Sequence, residues 1–100
     1  MRTVWTPLGL KSLEKTTNFI EEQWNGKVAD AFLEQLDNRI EQLEANPHIG
    51  PTYEKSEYRQ LLIHPLVTLY YQLKADYISL VLVWANKQDP EELREELKRV

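Results

Sequence analysis

Tyr53, Lys55, Tyr58, Arg59 and His64 fall within twelve consecutive positions, and Lys87 follows further along the chain. Metal-free RNA cleavage needs a base for the 2′-hydroxyl, a cation beside the phosphorane and an acid for the leaving oxygen, and Lys, Arg, His and Tyr can fill those roles. Aromatic rings can also stack on unpaired bases. The same residues have plainer uses. Tyrosine is a common strand residue, Arg59 has acidic residues in the helix before it to pair with, and nothing in the spacing alone is diagnostic.

Other chemistry is sparse. His48 and His64 stand sixteen residues apart, in neither an H-x-x-x-H nor an H-x-E arrangement, and there is no cysteine. No metal site is expected from such a set, and a thiolate nucleophile and a disulfide framework are excluded. The three glycines, at 9, 26 and 50, are isolated, so no phosphate-cradling loop is present. Ser12, Ser56 and Ser79 lie outside any nucleophile elbow. No cofactor is expected.

At 100 residues the chain has the length of one domain, taken as 1–100. Its 42% hydrophobic and 28% charged residues give an ordinary globular balance. The longest apolar run, Leu80–Ala85, has six residues, against roughly 20 for a membrane-spanning helix. The first residues lack a basic-then-apolar leader, so the expected location is the cytoplasm. Net charge is −4, where a protein that grips nucleic acid by its phosphates is usually basic. The acid is concentrated early. Lys11–Glu44 holds eight acidic and four basic residues, Lys55–Lys87 two acidic and four basic.

The elements that must position these residues divide into a helical half and a strand half. Thr3-Val4-Trp5 is a short β-prone run. Thr6 offers a hydroxyl N-cap and Pro7 the first helical position. Leu10, Leu13, Thr17, Ile20 and Trp24 then predict one helical face, ended at Asn25-Gly26, where glycine can adopt the left-handed conformation. Val28, Phe32, Leu36, Ile40 and Leu43 form a second stripe, with Ala29 and Leu33 beside it and a solvated acidic face behind. Asn46-Pro47 closes that helix. So short a break between two helices implies an antiparallel hairpin. After a loop over residues 46–57 come three β-prone runs, Tyr58–His64, Val67–Lys74 and Tyr77–Trp84, joined by turns too short for anything but antiparallel neighbours. Asp89, Pro90 and Glu92 open a last helix whose apolar face is Leu93, Leu97 and Val100.

Alternation sorts the strand faces. Leu61, Ile63, Val67, Leu69, Tyr71 and Leu73, with Ile78, Leu80, Leu82 and Trp84, are expected against the hairpin. Phe32, Leu36 and Ile40 should meet Leu69, Tyr71 and Leu80. Tyr58, Leu62, Tyr70, Val81 and Val83 are expected on the other face, which is too apolar to stand bare. The C-terminal helix is the economical cover and a partner chain the alternative.

This order resembles the RelE/ParE superfamily of bacterial type II toxin–antitoxin (plasmid stabilisation) systems, from Trp5 to about Pro90, and its ParE branch in detail. Trp5-Thr6-Pro7 followed by Leu13 is similar to that branch's opening. Leu43-Glu44-Ala45-Asn46-Pro47 with Ile49-Gly50 is similar to its L-x-x-x-P-x-x-G close of the second helix. Tyr58-Arg59-Gln60-Leu61 and Leu69-Tyr70-Tyr71 resemble its long strands, and Asn86-Lys87-Gln88-Asp89-Pro90 its T-R-Q-[ND]-P ending. The resemblance implies an α+β fold: an N-terminal short strand, an antiparallel helix hairpin packed on an antiparallel β-sheet, and a short C-terminal helix.

It also implies a growth-inhibiting toxin neutralised by a cognate antitoxin. ParE-type members poison DNA gyrase. RelE-type members cleave mRNA on the ribosome, using Lys and Arg on the central strands and an Arg with a Tyr or His near the C-terminus. Here those strands offer only Arg59 and Lys74. Lys87 follows the last strand, and no Tyr or His occurs from Asn86 onward. Gyrase is therefore the first target to weigh. The ribosome with its mRNA comes second, and a non-toxic interaction module third. Were the chain an enzyme, Arg59, Lys87, Lys55 and Tyr53 would be its catalytic candidates, and toxicity should depend on Arg59 and Lys87 more than on either histidine. The antitoxin is expected on Leu62, Tyr70, Val81 and Val83. Homodimer and heterotetramer with the antitoxin are both open.

Overall fold

A computed structural model describes residues 1–99 in the order β1 (Arg2–Trp5), α1 (Pro7–Gln23), α2 (Gly26–Ala45), β2 (Tyr58–His64), β3 (Val67–Leu73), β4 (Tyr77–Ala85) and α3 (Pro90–Lys98). Val100, expected on the apolar face of α3, lies outside the described residues. The four strands form one sheet, β1-β4-β3-β2. β2, β3 and β4 are antiparallel neighbours, and β1 adds a parallel edge to β4. The helical hairpin covers one face of this sheet and α3 the other.

Both long helices begin on side-chain caps. The Thr6 hydroxyl accepts from the Gly9 N–H at 2.9 Å, with Pro7 in the first turn, where its missing N–H leaves no donor unpaired. Asn25 caps α2 by accepting from the Val28 N–H at 3.0 Å. Gly26 is therefore the first residue of α2, not a left-handed terminator of α1, and its φ is not positive. The expectation at that position is corrected because the asparagine side chain starts the second helix at once.

α1 does not bury the expected stripe. Gly9, Ser12, Thr16 and Ile20 face inward, while Leu10 and Trp24 are exposed. The cause lies in the edge of β4. β1 is only four residues long and its pairing ends at Leu80, so the first turns of α1 take over. The Thr6 N–H donates to the Leu80 carbonyl at 3.0 Å, and the Ser12 hydroxyl accepts from the Val83 N–H at 2.9 Å. A Cβ at Gly9 would collide with the Leu80 carbonyl. Small and hydroxylated residues let the helix backbone approach the strand and pair its free polar groups.

The faces of β4 also differ from strict alternation. Tyr70 pairs with Leu82 but Tyr71 with Leu80, so Val81 is an extra residue. At such a bulge two residues oppose one, and Val81 and Leu82 point to the same side. Beyond it the faces exchange. Leu82 and Trp84 join the α3 side with Tyr70, Leu93 and Leu97, whereas Val83 joins the hairpin side. The expected assignment of Leu82, Val83 and Trp84 is thereby reversed. Phe32, Leu36, Leu69, Tyr71 and Leu80 share the main core, with Ile40 partly buried against it.

Candidate functional site

The residues that could do chemistry are not gathered at one place. Arg59, on the outer strand, directs Nη1 at the Gly50 carbonyl, 2.7 Å away. That carbonyl, rather than an acidic residue of α2, is its partner. The same loop is held from below by Tyr71. Its hydroxyl accepts from the Gly50 N–H and donates to the Pro47 carbonyl, both at 3.0 Å. Burial pushes the Tyr71 phenol up, partly offset by the Gly50 N–H and the Arg59 charge. A Cβ at Gly50 would strike the Gln60 carbonyl and this phenol. Arg59, Tyr71 and Gly50 thus form a clamp that fixes the 47–50 loop to the sheet.

Tyr53, Tyr58 and Tyr70 lie on the α3 side. Tyr53 packs edge-on against Tyr70, ring centroids 5.1 Å apart. The Tyr58 hydroxyl donates to the Leu97 carbonyl at 3.1 Å and so ties down the end of α3. Burial raises all three phenols, Tyr70 to about 12, with Glu54 adding to the rise at Tyr53 and Tyr70 and Glu57 at Tyr58. Such phenols keep their protons at neutral pH and supply no general base. Arg94 reaches Glu54 at 3.0 Å and latches the N-terminal half of α3 to the same loop. Lys55 is exposed in that loop. Among the described residues no three His, Asp or Glu side chains converge as metal ligands would.

Of the six residues first considered, His64 and Lys87 alone come to a common cleft. His64 Nδ1 accepts from the Leu66 N–H at 3.2 Å, shaping the β2–β3 turn. Asn86 joins that turn to the end of β4, its N–H donating to the Leu66 carbonyl at 2.8 Å and its side-chain oxygen accepting from Thr68 at 2.8 Å. Lys87 therefore projects from a braced corner.

The cleft is a groove of about 1400 Å³ between α1 and α3. Ser12, Thr16, Ile20, Phe32, Val67 and Val83 form its floor, and its open end reaches Phe19, Trp24 and Val28 at the hairpin tip. These three apolar side chains are 47%, 53% and 39% exposed, and Phe19 packs edge-on against Trp24. Periodicity alone pointed elsewhere, because Phe19 lies off the stripe expected for α1. The signal available in the sequence was the hydroxylated run Thr6, Ser12, Thr16. Where small polar residues face a strand, large apolar neighbours are left outside.

The four residues expected to meet a partner have separate fates. Tyr70 and Val81 are sealed beneath α3, Val83 sits in the groove floor, and Leu62 is exposed on β2 with its carbonyl bonded to Arg39 Nε at 3.0 Å.

Comparison with known proteins places this architecture. The family model described as ParE toxin of type II toxin-antitoxin system, parDE, matches residues 3–90. Among solved structures, a chain of the chromosomal ParDE TA system from P. aeruginosa superposes with a TM-score of 0.73 at 16% identity, covering 85% of this chain and 95% of that one. No curated protein matches. The matched region takes in the helical hairpin, β2, β3 and β4 whole, with part of β1 and only the first residue of α3, and the chain is a member of the ParE toxin family of type II toxin–antitoxin systems.

Proposed function

We propose that this toxin arrests growth by binding DNA gyrase, not by cutting RNA with its own side chains, and that a cognate antitoxin silences it by filling the groove between α1 and α3. The observation that carries the reading is the engagement of Arg59 by the Gly50 carbonyl. The one strand-borne cation among the catalytic candidates acts as a clamp, the tyrosines nearest it on the other face keep their protons, and Lys87 stands apart at the groove. A constellation for phosphoryl chemistry needs its acid, base and cation within reach of one reacting atom.

For the antitoxin, the groove is favoured over strand addition. The outer edge of β2 is occupied. The Tyr58 carbonyl accepts from the Tyr53 N–H, the Gln60 N–H donates to the Pro51 carbonyl, and the Leu62 carbonyl is taken by Arg39. On β1, the Thr3 N–H and hydroxyl both reach Glu44 Oε2. Edges covered in this way do not template another strand. Helix-in-groove docking suits an apolar floor that follows α1 from Leu8 to Gln23, about 22 Å at about 1.5 Å per residue.

The purified chain should inhibit supercoiling by gyrase, and the product of the adjacent reading frame should relieve that inhibition. Unimpaired gyrase together with cleavage of ribosome-programmed mRNA would replace this reading by the RelE-like one.

A further inference from the structure

We infer that the groove accepts its antitoxin helix in one rotational setting, set by opposite charge on its two walls: Asp or Glu along the helix edge that meets α1, Lys or Arg along the edge that meets α3. The inference rests on the groove being the antitoxin's site, as proposed above, and adds what that partner must carry.

The α1 wall is basic. Lys11 and Lys15 line the groove one turn apart, and the acidic residues of α1, Glu14, Glu21 and Glu22, do not line it. The α3 wall is acidic, with Glu91, Glu92, Glu95 and Glu96 along the groove. Three of these four glutamates are paired along α3. Arg94 and Lys98, the partners of Glu91 and Glu95, do not line the groove, whereas Arg99, paired with Glu96, lines its far end and Lys87, just before α3, is a further lining cation. Glu92 is thus, among the described residues, the unpaired acid of this wall. Among the described residues Lys11, Lys15 and Glu92 make no ion pair. The apolar floor between the walls sets which face of the incoming helix points down. With that face fixed, the two flanking edges must differ in sign, and a helix of reversed polarity meets like charge on both sides. Charges at the rim of an apolar interface act chiefly on encounter and on the rejection of wrong partners. A toxin that shares a cell with related pairs gains a filter from that arrangement.

The test uses the full chain and, as probe, the antitoxin encoded by the adjacent reading frame, with association and dissociation followed at about 50 mM and about 500 mM salt, conditions that leave and remove long-range charge effects. The variants are Lys11→Glu with Lys15→Glu on one wall, Glu92→Lys with Glu95→Lys on the other, and Phe19→Asp at the mouth, each checked for folding by circular dichroism. Each wall reversal is expected to slow association about tenfold or more at low salt and by less than about twofold at high salt. The four reversals together should be rescued by an antitoxin whose flanking Asp/Glu and Lys/Arg are exchanged. The α1 pair lies mid-helix, so it keeps the test decisive if the α3 pair frays that short helix. Unchanged association in the wall variants, with binding lost in Phe19→Asp, overturns the polarity and leaves the groove reading standing. Unchanged binding in all three overturns both. A self-dimer of the chain that the antitoxin must displace from the groove makes the occupant a second copy and overturns the inference as well.

Discussion

Replacing Arg59 by alanine separates a clamp from a catalytic cation. The side chain makes one charge-assisted hydrogen bond, 2.7 Å to the Gly50 carbonyl, in a half-buried setting. Hydrogen bonds to charged groups contribute about 1.5–3 kcal/mol. Partial exposure and the surviving Tyr71 bonds to Gly50 and Pro47 place the loss near the lower end, about 1.5 kcal/mol. For a domain of this size that corresponds to a fall in Tm of about 6–12 °C, at about 4–8 °C per kcal/mol. Differential scanning fluorimetry reads it directly. Gyrase inhibition measured well below the lowered Tm should then be retained once corrected for folded fraction. An unchanged Tm together with lost toxicity would refute the clamp and return Arg59 to the target-facing machinery. Lys87→Ala is the companion variant. It is exposed, so its stability should move by less than about 0.5 kcal/mol, and any loss of toxicity there reports on the target.

Leu36 is buried in the main core, so Leu36→Ala should cost about 2–5 kcal/mol, and a denaturant-measured loss below about 0.5 kcal/mol would place it outside the core. Ser12→Ala leaves the Val83 N–H without its acceptor; chemical denaturation should show a loss of about 1–3 kcal/mol, and a neutral result would mean that the α1–β4 contact does not depend on this bond. Gly26→Ala should raise stability by about 0.4–1 kcal/mol, because a Cβ there meets nothing within 4 Å and the backbone is already helical; destabilisation would show that the glycine conformation matters after all. Tyr70 has a folded-state pKa raised to about 12 against 10.0, so the folded state keeps a proton that the unfolded chain releases. Its contribution is fully present below pH 10 and lost as pH rises toward about 12. Alkaline unfolding followed by fluorescence should show that window narrowed in Tyr70→Phe, and an unaltered profile would exclude Tyr70 as its source.

The sequence carried element order well, because caps and breakers are local. Thr6-Pro7, Asn46-Pro47 and Asp89-Pro90 mark helix ends through hydrogen bonds and fixed φ angles that need no tertiary partner. It also placed β2 over Tyr58–His64. It misled where a tertiary demand overrode a period. Nothing local in Leu80–Trp84 announces a bulge, since a run of apolar residues is compatible with either face. The exchange of Leu82, Val83 and Trp84 follows from pairing with β3. Tyr70 and Val81, expected on a face that the C-terminal helix or else a partner chain must cover, are the packing floor for Leu93 and Leu97 of α3. Arg59 was legible as a basic residue of β2, but its partner, a loop carbonyl nine residues earlier, was not.

The groove follows from the same two departures from periodicity. The bulge at Val81 turns Val83 toward the hairpin side, where its side chain becomes floor and its N–H needs an acceptor. Ser12 supplies that acceptor only if α1 comes in on its small face, with Gly9 against the Leu80 carbonyl. A helix seated on Gly9, Ser12 and Thr16 must leave its larger apolar side chains on adjoining faces, and Phe19 with Trp24 is left at the hairpin tip. α3 meanwhile spends Leu93 and Leu97 on Tyr70, Val81, Leu82 and Trp84, and so reaches the opposite wall with glutamates alone but for Arg99. A groove whose exposed apolar side chains gather at the hairpin tip, between a basic and an acidic wall, is thus a consequence of how the helices are anchored. Exchanging Gly9 for a larger residue would push α1 off β4, because a Cβ there meets the Leu80 carbonyl. The groove and the α1–β4 anchor are therefore coupled, and substitutions that alter one should be read for their effect on the other.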